Sequence, residues 1–461
     1  MKLMIHMKKF GTLITAVALA FILFALPANA AIEGVTGTSP NPVFNLTAEA
    51  DYITVPEGSR IFMWGYGVNG THMQYPGPTL IVNQGDVVTV NLTNKIGGVP
   101  VSIVFTGQDD VVAAGGIQGA LAREARFGET VTYTFTAANP GTYMYHSGSR
   151  PELATEMGLV GALIVRPTSL GVPIANQAYE HVSSAFNQEF LFLLTEMDPN
   201  FHKMIEQGKM NEIDNTAYFP VIWFINGRAA PDTMLDAHSP LLPNQPYNCF
   251  PNTHPGDRLL MRIIGAGRDM HPFHAHGNHS RVIARDGRLL ESAPGSGAVT
   301  GEFTFTNASI PGSTIDTIFS WTGERLGWDI YGAIDVTCTD TNNDGRDDVT
   351  GAFCHDVACT DLNLDGFDDA TKEYCPDHGK PFPVILPSQE VITFGQFYSG
   401  SPFLGGLGQL PPGEGGFNPN GGFFFMWHSH NEKEITSFDV FPGGMLTMMI
   451  IENPTVPLIN P

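Results

Sequence analysis

The sequence predicts an all-β protein with two sandwich or barrel domains, and three observations lead to this prediction. Short runs rich in β-branched and aromatic residues recur along the chain, as at residues 79–82, 87–92 and 130–135. Gly, Pro, Asn and Asp separate these runs, and regular short strands with such punctuation are typical of a Greek-key sandwich or barrel. The composition agrees, because 51 Gly and 34 Pro accompany only 15% charged residues.

The chain of 461 residues is too long for one ordinary core. We expect a first domain over residues 40–168 and a linker rich in turn-forming residues over 169–184. The second domain is expected over residues 185–455, with an insertion at 337–380. The one helix that the pattern favours covers about residues 200–212.

The first 30 residues have the features of a secretory signal. Three lysines accompany an apolar stretch at residues 10–26, and the sequence at 28–30 has the small-x-small cleavage pattern. A membrane anchor is the alternative, but the short stretch and the cleavage pattern favour removal. The mature protein is therefore expected to be exported, to the periplasm or the cell exterior, with no membrane association.

The net charge of −23 argues against nucleic acid or an anionic membrane as a partner. Hydrophobic residues at 43% and aromatic residues at 10% exclude a disordered chain. The acidic balance favours solubility and the attraction of cations.

The insertion contains an internal repeat. The pattern Cys-Thr-Asp-x-Asn-x-Asp-Gly-x-Asp-Asp begins at Cys338 and again at Cys359. Oxygen side chains at alternate positions before a turn-making Gly suit a hard cation such as Ca²⁺. The closing Glu of an EF-hand is missing, so the pattern predicts a DxNxDG-type calcium loop, with an acidic surface loop as the alternative. The predicted calcium ligands are Asp340, Asn342, Asp344, Asp348, Asp361, Asn363, Asp365 and Asp369.

Four of the five cysteines lie in this insertion, and an exported chain favours disulfides. Pairing of Cys338 with Cys354 and of Cys359 with Cys375 would close one loop per repeat, although spacing alone leaves other connectivities open. Cys249 is left over.

Two histidine-rich segments predict a metal centre. The first is HPFHAHG at residues 271–277, and the second is HSH at 428–430. Residues i and i+2 of a strand point to the same side, so each segment presents one pair of imidazoles. If the segments lie close together, four imidazoles converge, and imidazole suits copper, zinc, iron and nickel. The two pairs are His274 with His276 and His428 with His430.

Both segments resemble metal motifs of the multicopper oxidases. Residues 271–277 look like the HPFHLHG motif of that family, and 428–430 look like its HCH motif. In the first domain, 75–86 is similar to the family's PGP segment, and 140–165 is similar to GTYWYHSH…GLxGxLIV. The resemblance covers nearly all of the mature chain except the insertion, and is greatest to the two-domain oxidases.

The resemblance implies two cupredoxin-like domains, bound copper, and oxidation of a metal ion or a small phenolic or organic reductant with O₂. It also implies a homotrimer with a trinuclear copper site between domains of neighbouring subunits. Matched position by position, the resemblance assigns His274 to type 2 copper, His276, His428, His430 and His146 to type 3 copper, and His271 to type 1 copper.

The sequence also departs from the family pattern. At the trinuclear site, Val104, Thr106 and Gly148 stand where the family has histidines. At the type 1 site Ser429 replaces the cysteine, and a hydroxyl cannot form the thiolate–copper bond behind the blue colour. Glu434 stands at the position of the later type 1 histidine.

Two further positions complete this comparison. Met445 lies near the axial position of the type 1 site. Nitrite reductases carry the type 1 cysteine in the first domain, where this chain has Ser147. A laccase-like route of electrons through type 1 copper is therefore not expected.

Two alternatives to a copper oxidoreductase stay open. Glu432 and Glu434 share parity with His428 and His430, so a continued strand would add two carboxylates to the imidazoles and suit iron or manganese. If residues 431–434 form a solvated loop instead, the two carboxylates would not contribute to the metal site. The other alternative is a degenerate family member that serves as a binding or structural module of the cell envelope or exterior.

Overall fold

The computed structural model describes residues 32–254, 256–321, 339, 341, 360–364, 369, 423–451 and 457–458. The predicted secretory signal and most of the predicted insertion lie outside these residues. Within the described part of the chain, no helix has the length and apolar character needed to span a bilayer.

The first domain is a sandwich of β-strands with one short helix. Its elements are β1 (Val35–Thr36), β2 (Val43–Thr54), β3 (Arg60–Val68), β4 (Gly77–Asn83), β5 (Val87–Asn94), β6 (Val104–Phe105), β7 (Val112–Gly115), β8 (Ile117–Gln118), β9 (Arg123–Glu124), β10 (Thr130–Thr136), β11 (Gly141–His146), α1 (Pro151–Ala154) and β12 (Val160–Arg166). One five-stranded sheet has the order β1-β4-β12-β11-β6, and the other has the order β3-β2-β5-β10-β7.

Alternation of side chains along these strands builds the first core. Val88 and Val90 of β5 lie opposite Phe135 and Tyr133 of β10, and all four side chains are buried. The residues between them are polar and more exposed, as expected for a sheet with one solvated face.

The second domain repeats the two-sheet arrangement. A hairpin of β13 (Thr168–Ser169) and β14 (Val172–Pro173) leads into it. Its elements are β15 (Gln188–Met197), α2 (Pro199–Glu206), β16 (Ile222–Ile225), β17 (Asn252–Thr253), β18 (Leu259–Gly265), β19 (His271–Ala275), β20 (Ser280–Arg285), β21 (Arg288–Leu289), β22 (Phe303–Thr304), β23 (Thr306–Ser309), β24 (Thr314–Phe319), β25 (Phe423–Ser429) and β26 (Leu446–Ile451). One sheet runs β16-β15-β18-β24-β20-β21 with β22 on β20, and the other runs β17-β26-β25-β19-β23.

Short 3₁₀ turns connect several of these strands. They are Val182–Ser184, Met210–Glu212, Asn215–Ala217, Asp232–Met234 and Glu432–Ile435. The helix expected over residues 200–212 is shorter than predicted: α2 ends at Glu206, and only a 3₁₀ turn follows at Met210–Glu212. Asp198 caps α2 by accepting a hydrogen bond from the backbone of Asn200.

Helix α1 was not predicted. Pro151 occupies its first turn, where a missing N–H costs nothing, and Arg150 enters in the left-handed conformation. Four residues are too few to give a helical period in the sequence.

Strand β15 is buried along its whole length because both of its faces are covered. Phe190, Phe192 and Leu194 pack into the core of the second domain. Leu191 and Leu193, on the opposite face, pack against a cluster that includes residues of the first domain. The domain interface is therefore built on one apolar strand of the second domain.

A buried ionic cluster also joins the domains. Glu189 accepts hydrogen bonds from Arg166 at 2.8 Å and from Arg262 at 2.9 Å. Arg262 also donates to Thr142 at 2.8 Å, and Thr142 donates to Asp316 at 2.6 Å. Burial raises the pKa of Glu189, but the two guanidinium groups outweigh it and hold the pKa at about 2.

Candidate metal centre

The pairing of β19 with β25 brings the two histidine segments together. His274 lies directly opposite His428 in this antiparallel pair, and directly opposed residues point to the same side of a sheet. His276 follows β19 by one residue, and His430 follows β25 by one residue. All four imidazoles therefore lie on one face of this strand pair.

Three of these imidazoles form a compact buried group. The ligand atoms of His274, His276 and His428 lie within 4.8 Å of one another, and each residue is 5–6% exposed. The ring of His430 lies 4.8 Å from that of His274, but its side chain is 52% exposed. The structure thus gives three buried donors and a fourth at the rim. We call His274, His276, His428 and His430 the histidine group.

Hydrogen bonds fix how two of the rings face the centre. Nδ1 of His428 lies 2.6 Å from the carbonyl oxygen of Ser429, so Nδ1 carries the proton and Nε2 has the lone pair. Nε2 of His428 lies 3.1 Å from Nε2 of His276, and two nitrogens this close share one proton. Nδ1 of His274 bonds to the hydroxyl of Thr306 at 2.8 Å. The supporting partners hold the rings as those of metal-binding histidines are held.

The electrostatics of His274 and His428 favour neutral imidazoles. Burial, with the neighbouring His428 and His430, lowers the pKa of His274 to about 4. Burial also lowers the pKa of His428. Neutral imidazole is the form that binds metal, so these two rings are ready to accept a cation near neutral pH. Three to four imidazole nitrogen donors suit copper, for which such sites have the highest affinity among the common divalent metals.

His271 does not join this group. Its ring is fully buried between two carboxylates: Nδ1 donates to Glu434 Oε2 and Nε2 donates to Glu196 Oε2, each at 2.9 Å. Burial lowers the pKa of His271, but the two carboxylates outweigh it and raise the pKa to about 9. The assignment of His271 to type 1 copper therefore does not fit, because neither ring nitrogen faces an open position.

Glu434 lies with His271 and not with the histidine group. It also accepts a hydrogen bond of 2.5 Å from the hydroxyl of Ser429. The expectation that the strand continues through residues 432 and 434 is wrong, since β25 ends at Ser429 and a 3₁₀ turn follows at Glu432–Ile435. The turn changes the side-chain period, which buries Glu434 and exposes Glu432. The alternative of a wholly solvated loop at 431–434 is wrong as well.

His146 stands apart from the histidine group. Among the described residues, the group of ligand atoms within 4.8 Å contains only residues 274, 276 and 428. Nδ1 of His146 bonds to the carbonyl of Ser147 at 2.9 Å, and burial lowers the pKa of the ring. His146 lines a cleft of about 260 Å³ between the domains, together with Glu156 and Glu196.

Glu196 and Thr306 are the site residues that the sequence reasoning missed. Glu196 is a buried carboxylate near the end of the apolar strand β15, and that position is the signal that could have drawn attention to it. Thr306 lies beside His274 on the neighbouring strand β23, and nothing in its sequence context marks it.

The calcium prediction falls largely outside the described residues, as do Asp340, Asn342, Asp344, Asp348, Asp365 and the four cysteines of the repeat. In the second repeat, the carboxylate of Asp369 accepts a hydrogen bond from the backbone of Leu362 at 3.0 Å. The backbone of Asp369 donates to the carbonyl of Thr360 at 2.8 Å. These contacts bring Asp369 back towards Asp361 and Asn363, and calcium remains a prediction. Cys249 is a free, buried thiol.

Comparison with known proteins now places the chain. Two β-sandwich domains, with a histidine group on one face of a strand pair in the second, define a cupredoxin-like fold. Residues 50–169 match the family model described as multicopper oxidase, so this segment of the chain is similar to that family. The predicted resemblance to the multicopper oxidases and the predicted all-β, cupredoxin-like fold are thus confirmed.

The similar curated proteins match over a short segment. An L-ascorbate oxidase of Cucurbita pepo var. melopepo is 41% identical over 103 residues, which is 22% of this chain and 18% of that oxidase. An iron transport multicopper oxidase of Epichloe festucae is 38% identical over 104 residues, or 22% of this chain and 15% of that protein. The matched segment thus spans less than a fifth of either relative.

Solved structures resemble this chain over most of its length. A blue copper oxidase from Nitrosomonas europaea has a TM-score of 0.52 and 18% identity, and covers 89% of this chain and 85% of its own. The multicopper oxidase mgLAC has the same TM-score and identity, with coverage of 91% and 88%. At this identity the likeness establishes the fold alone.

Proposed function

We propose that this protein is an exported, copper-binding oxidoreductase that acts on a metal ion or a small phenolic or organic reductant with O₂ as the acceptor. The observation that carries the proposal is the packing of His274, His276 and His428 with their ligand atoms within 4.8 Å. A purely structural descendant of the family has no need for three converging buried imidazoles, because burying unused polar groups costs free energy.

Each residue of the histidine group has a defined part in this proposal. His274, His276 and His428 would hold copper, and His430 would complete the set at the exposed rim. Copper bound there supplies a one-electron carrier between a reductant and O₂. The hydroxyl of Thr306 and the carbonyl of Ser429 fix the orientation of His274 and His428. His276 Nε2 and His428 Nε2 lie 3.1 Å apart, so a copper ion held by both nitrogens would take the place of the N–H proton between them.

The exposure of His430 supports access by a small reductant or a metal ion. Its side chain is 52% exposed, and that of the neighbouring Glu432 is 79% exposed, with 3.5 Å between them. A carboxylate beside an exposed imidazole favours a cationic substrate, and the net charge of −23 attracts cations generally. Export to the periplasm or the cell exterior and assembly as a homotrimer remain part of the proposal.

Metal analysis of the purified chain tests this proposal most directly. We expect at least one copper per chain after loading, together with O₂ consumption when ferrous iron, monovalent copper or a phenol is supplied. Absence of bound copper after loading would favour the degenerate binding module. Stoichiometric iron or manganese with little copper would favour the His/carboxylate alternative, which retains Glu432 because Glu434 is bonded to His271. Light scattering of the purified protein tests the homotrimer.

A further inference from the structure

The positions that match the type 1 copper ligands still lie close together, around Glu434. Oε2 of Glu434 lies 2.9 Å from Nδ1 of His271 and 2.5 Å from Oγ of Ser429. The backbone of Met445 donates to the carbonyl of Glu434 at 2.7 Å, and that of Ser429 donates to the carbonyl of Met445 at 3.0 Å. Glu434 therefore contacts each of the other three positions although the cysteine is gone.

The hydrogen bonds of His271 leave neither ring nitrogen with a free lone pair for a metal. His271 donates from one nitrogen to Glu434 and from the other to Glu196. A ring that donates from both nitrogens is an imidazolium. All three side chains are 3% exposed or less, so a cation between the two carboxylates satisfies charges that would be costly to bury unpaired. The raised pKa of His271 agrees with this geometry.

We infer that the place of type 1 copper in related oxidases is filled here by a metal-free ion triad, Glu196–His271–Glu434, in which a proton on the imidazole replaces the metal. The triad keeps the residues that match the type 1 copper ligands in position. Electrons would then pass from the reductant directly to the histidine group, without a mononuclear type 1 copper between them. This last consequence rests on the proposed function, whereas the absence of metal from the triad does not.

The triad acts as a positioning device for both histidine-bearing segments. Oε1 of Glu196 accepts hydrogen bonds from the backbone of Arg268 at 2.5 Å and of Asp269 at 3.0 Å, which fixes the loop before β19. Oε1 of Glu434 accepts from the side chain of Asn431 at 2.9 Å, which fixes the end of β25. The ion triad thus joins β15, the start of β19 and the turn after β25.

The first experiment uses the wild-type chain with labelled histidine nitrogens. We expect His271, assigned by its loss in His271→Gln, to show two N–H protons. Monovalent copper, which is diamagnetic, added without oxygen should shift the signals of His276 and His428 and leave both protons of His271. Loss of either His271 proton on copper addition would overturn the inference.

The second experiment restores type 1 copper ligands at the matching positions of this chain. We expect Ser429→Cys with Glu434→His to bind one copper per chain more than the wild type and to show an intense thiolate-to-copper absorption band. The matched control is Ser147→Cys with Glu434→His, because Ser147 is equally buried but its hydroxyl bonds only within the loop, to Ser149 at 3.0 Å. If the Ser429→Cys, Glu434→His protein folds but binds no additional copper, the type 1 ligand positions have not kept the geometry of a copper site.

Copper counts separate this inference from the proposed function. At saturating copper, a folded His271→Gln variant should bind as many copper ions per chain as the wild type, but with weaker affinity because the histidine-bearing segments lose this support. A loss of one copper per chain at saturation would contradict the metal-free triad. Wild-type chain that binds no copper would refute the proposed function, yet the His271 protons would still report on the triad.

Discussion

Nε2 of His276 lies 3.1 Å from Nε2 of His428, across the ends of two paired strands that are 152 residues apart in sequence. Neither imidazole could be placed so close to another if both carried a charge. The contact therefore requires that at least one of the two rings is neutral, and the lowered pKa of His428 favours the neutral form that a metal requires.

Removing both of these rings should abolish copper binding. We expect His276→Gln with His428→Gln to weaken copper binding by roughly 100-fold or more, since loss of supporting groups alone typically costs 10–100-fold. Competition with a copper chelator measures this change. The control is His238→Gln, because the His238 side chain is 70% exposed and pairs with Glu33, away from the histidine group. Equal copper affinity in the double variant and the control would contradict the site.

The ion triad predicts a loss of stability at alkaline pH. The pKa of His271 is raised from 6.5 to about 9 in the folded chain. Its stabilisation is therefore complete below pH 6.5 and is lost as pH rises towards 9, by up to about 3 kcal/mol. Urea unfolding of the copper-free protein at several pH values measures this loss. A His271→Gln variant should lack this alkaline slope, and an identical slope in both proteins would refute the assignment.

Breaking the buried ionic cluster should loosen the domain interface. Arg262→Met leaves Glu189 with one cationic partner and removes the donor to Thr142, so we expect about 3–5 kcal/mol of destabilisation in denaturant unfolding. The control is Arg285→Met, whose exposed pair with Glu302 should contribute at most about 1 kcal/mol. Similar losses in the two variants would contradict the structural role of Arg262.

Calcium should protect the predicted insertion from proteolysis. If the two repeats bind Ca²⁺, its removal should increase cleavage between residues 338 and 379 while the β domains remain intact. Limited proteolysis followed by mass spectrometry with and without chelator measures the effect. Asp361→Asn with Asp369→Asn should be cleaved equally in both conditions, and calcium-independent cleavage of the wild type would count against calcium binding.

Local rules of sequence were sufficient for much of the site. The strand period of two predicted that His274 and His276 share a face, as do His428 and His430. The same rule failed at Glu434, because a 3₁₀ turn after Ser429 ended the strand that parity assumed. A turn of four residues is set by backbone hydrogen bonds and packing, which the alternation of residue types does not report.

The sequence by itself determined the β fold, the resemblance to the multicopper oxidases, the two imidazole pairs and the serine at the position of the type 1 cysteine, since each depends on residue type and short spacing. Only the tertiary structure decided which side chains occupy the position that matches type 1 copper. Glu196 precedes His271 by 75 residues and Glu434 follows it by 163. The chain unites them by packing β15, β19 and the turn after β25 into one interior. A buried charge needs its partner within hydrogen-bond distance in space, whatever their separation along the chain.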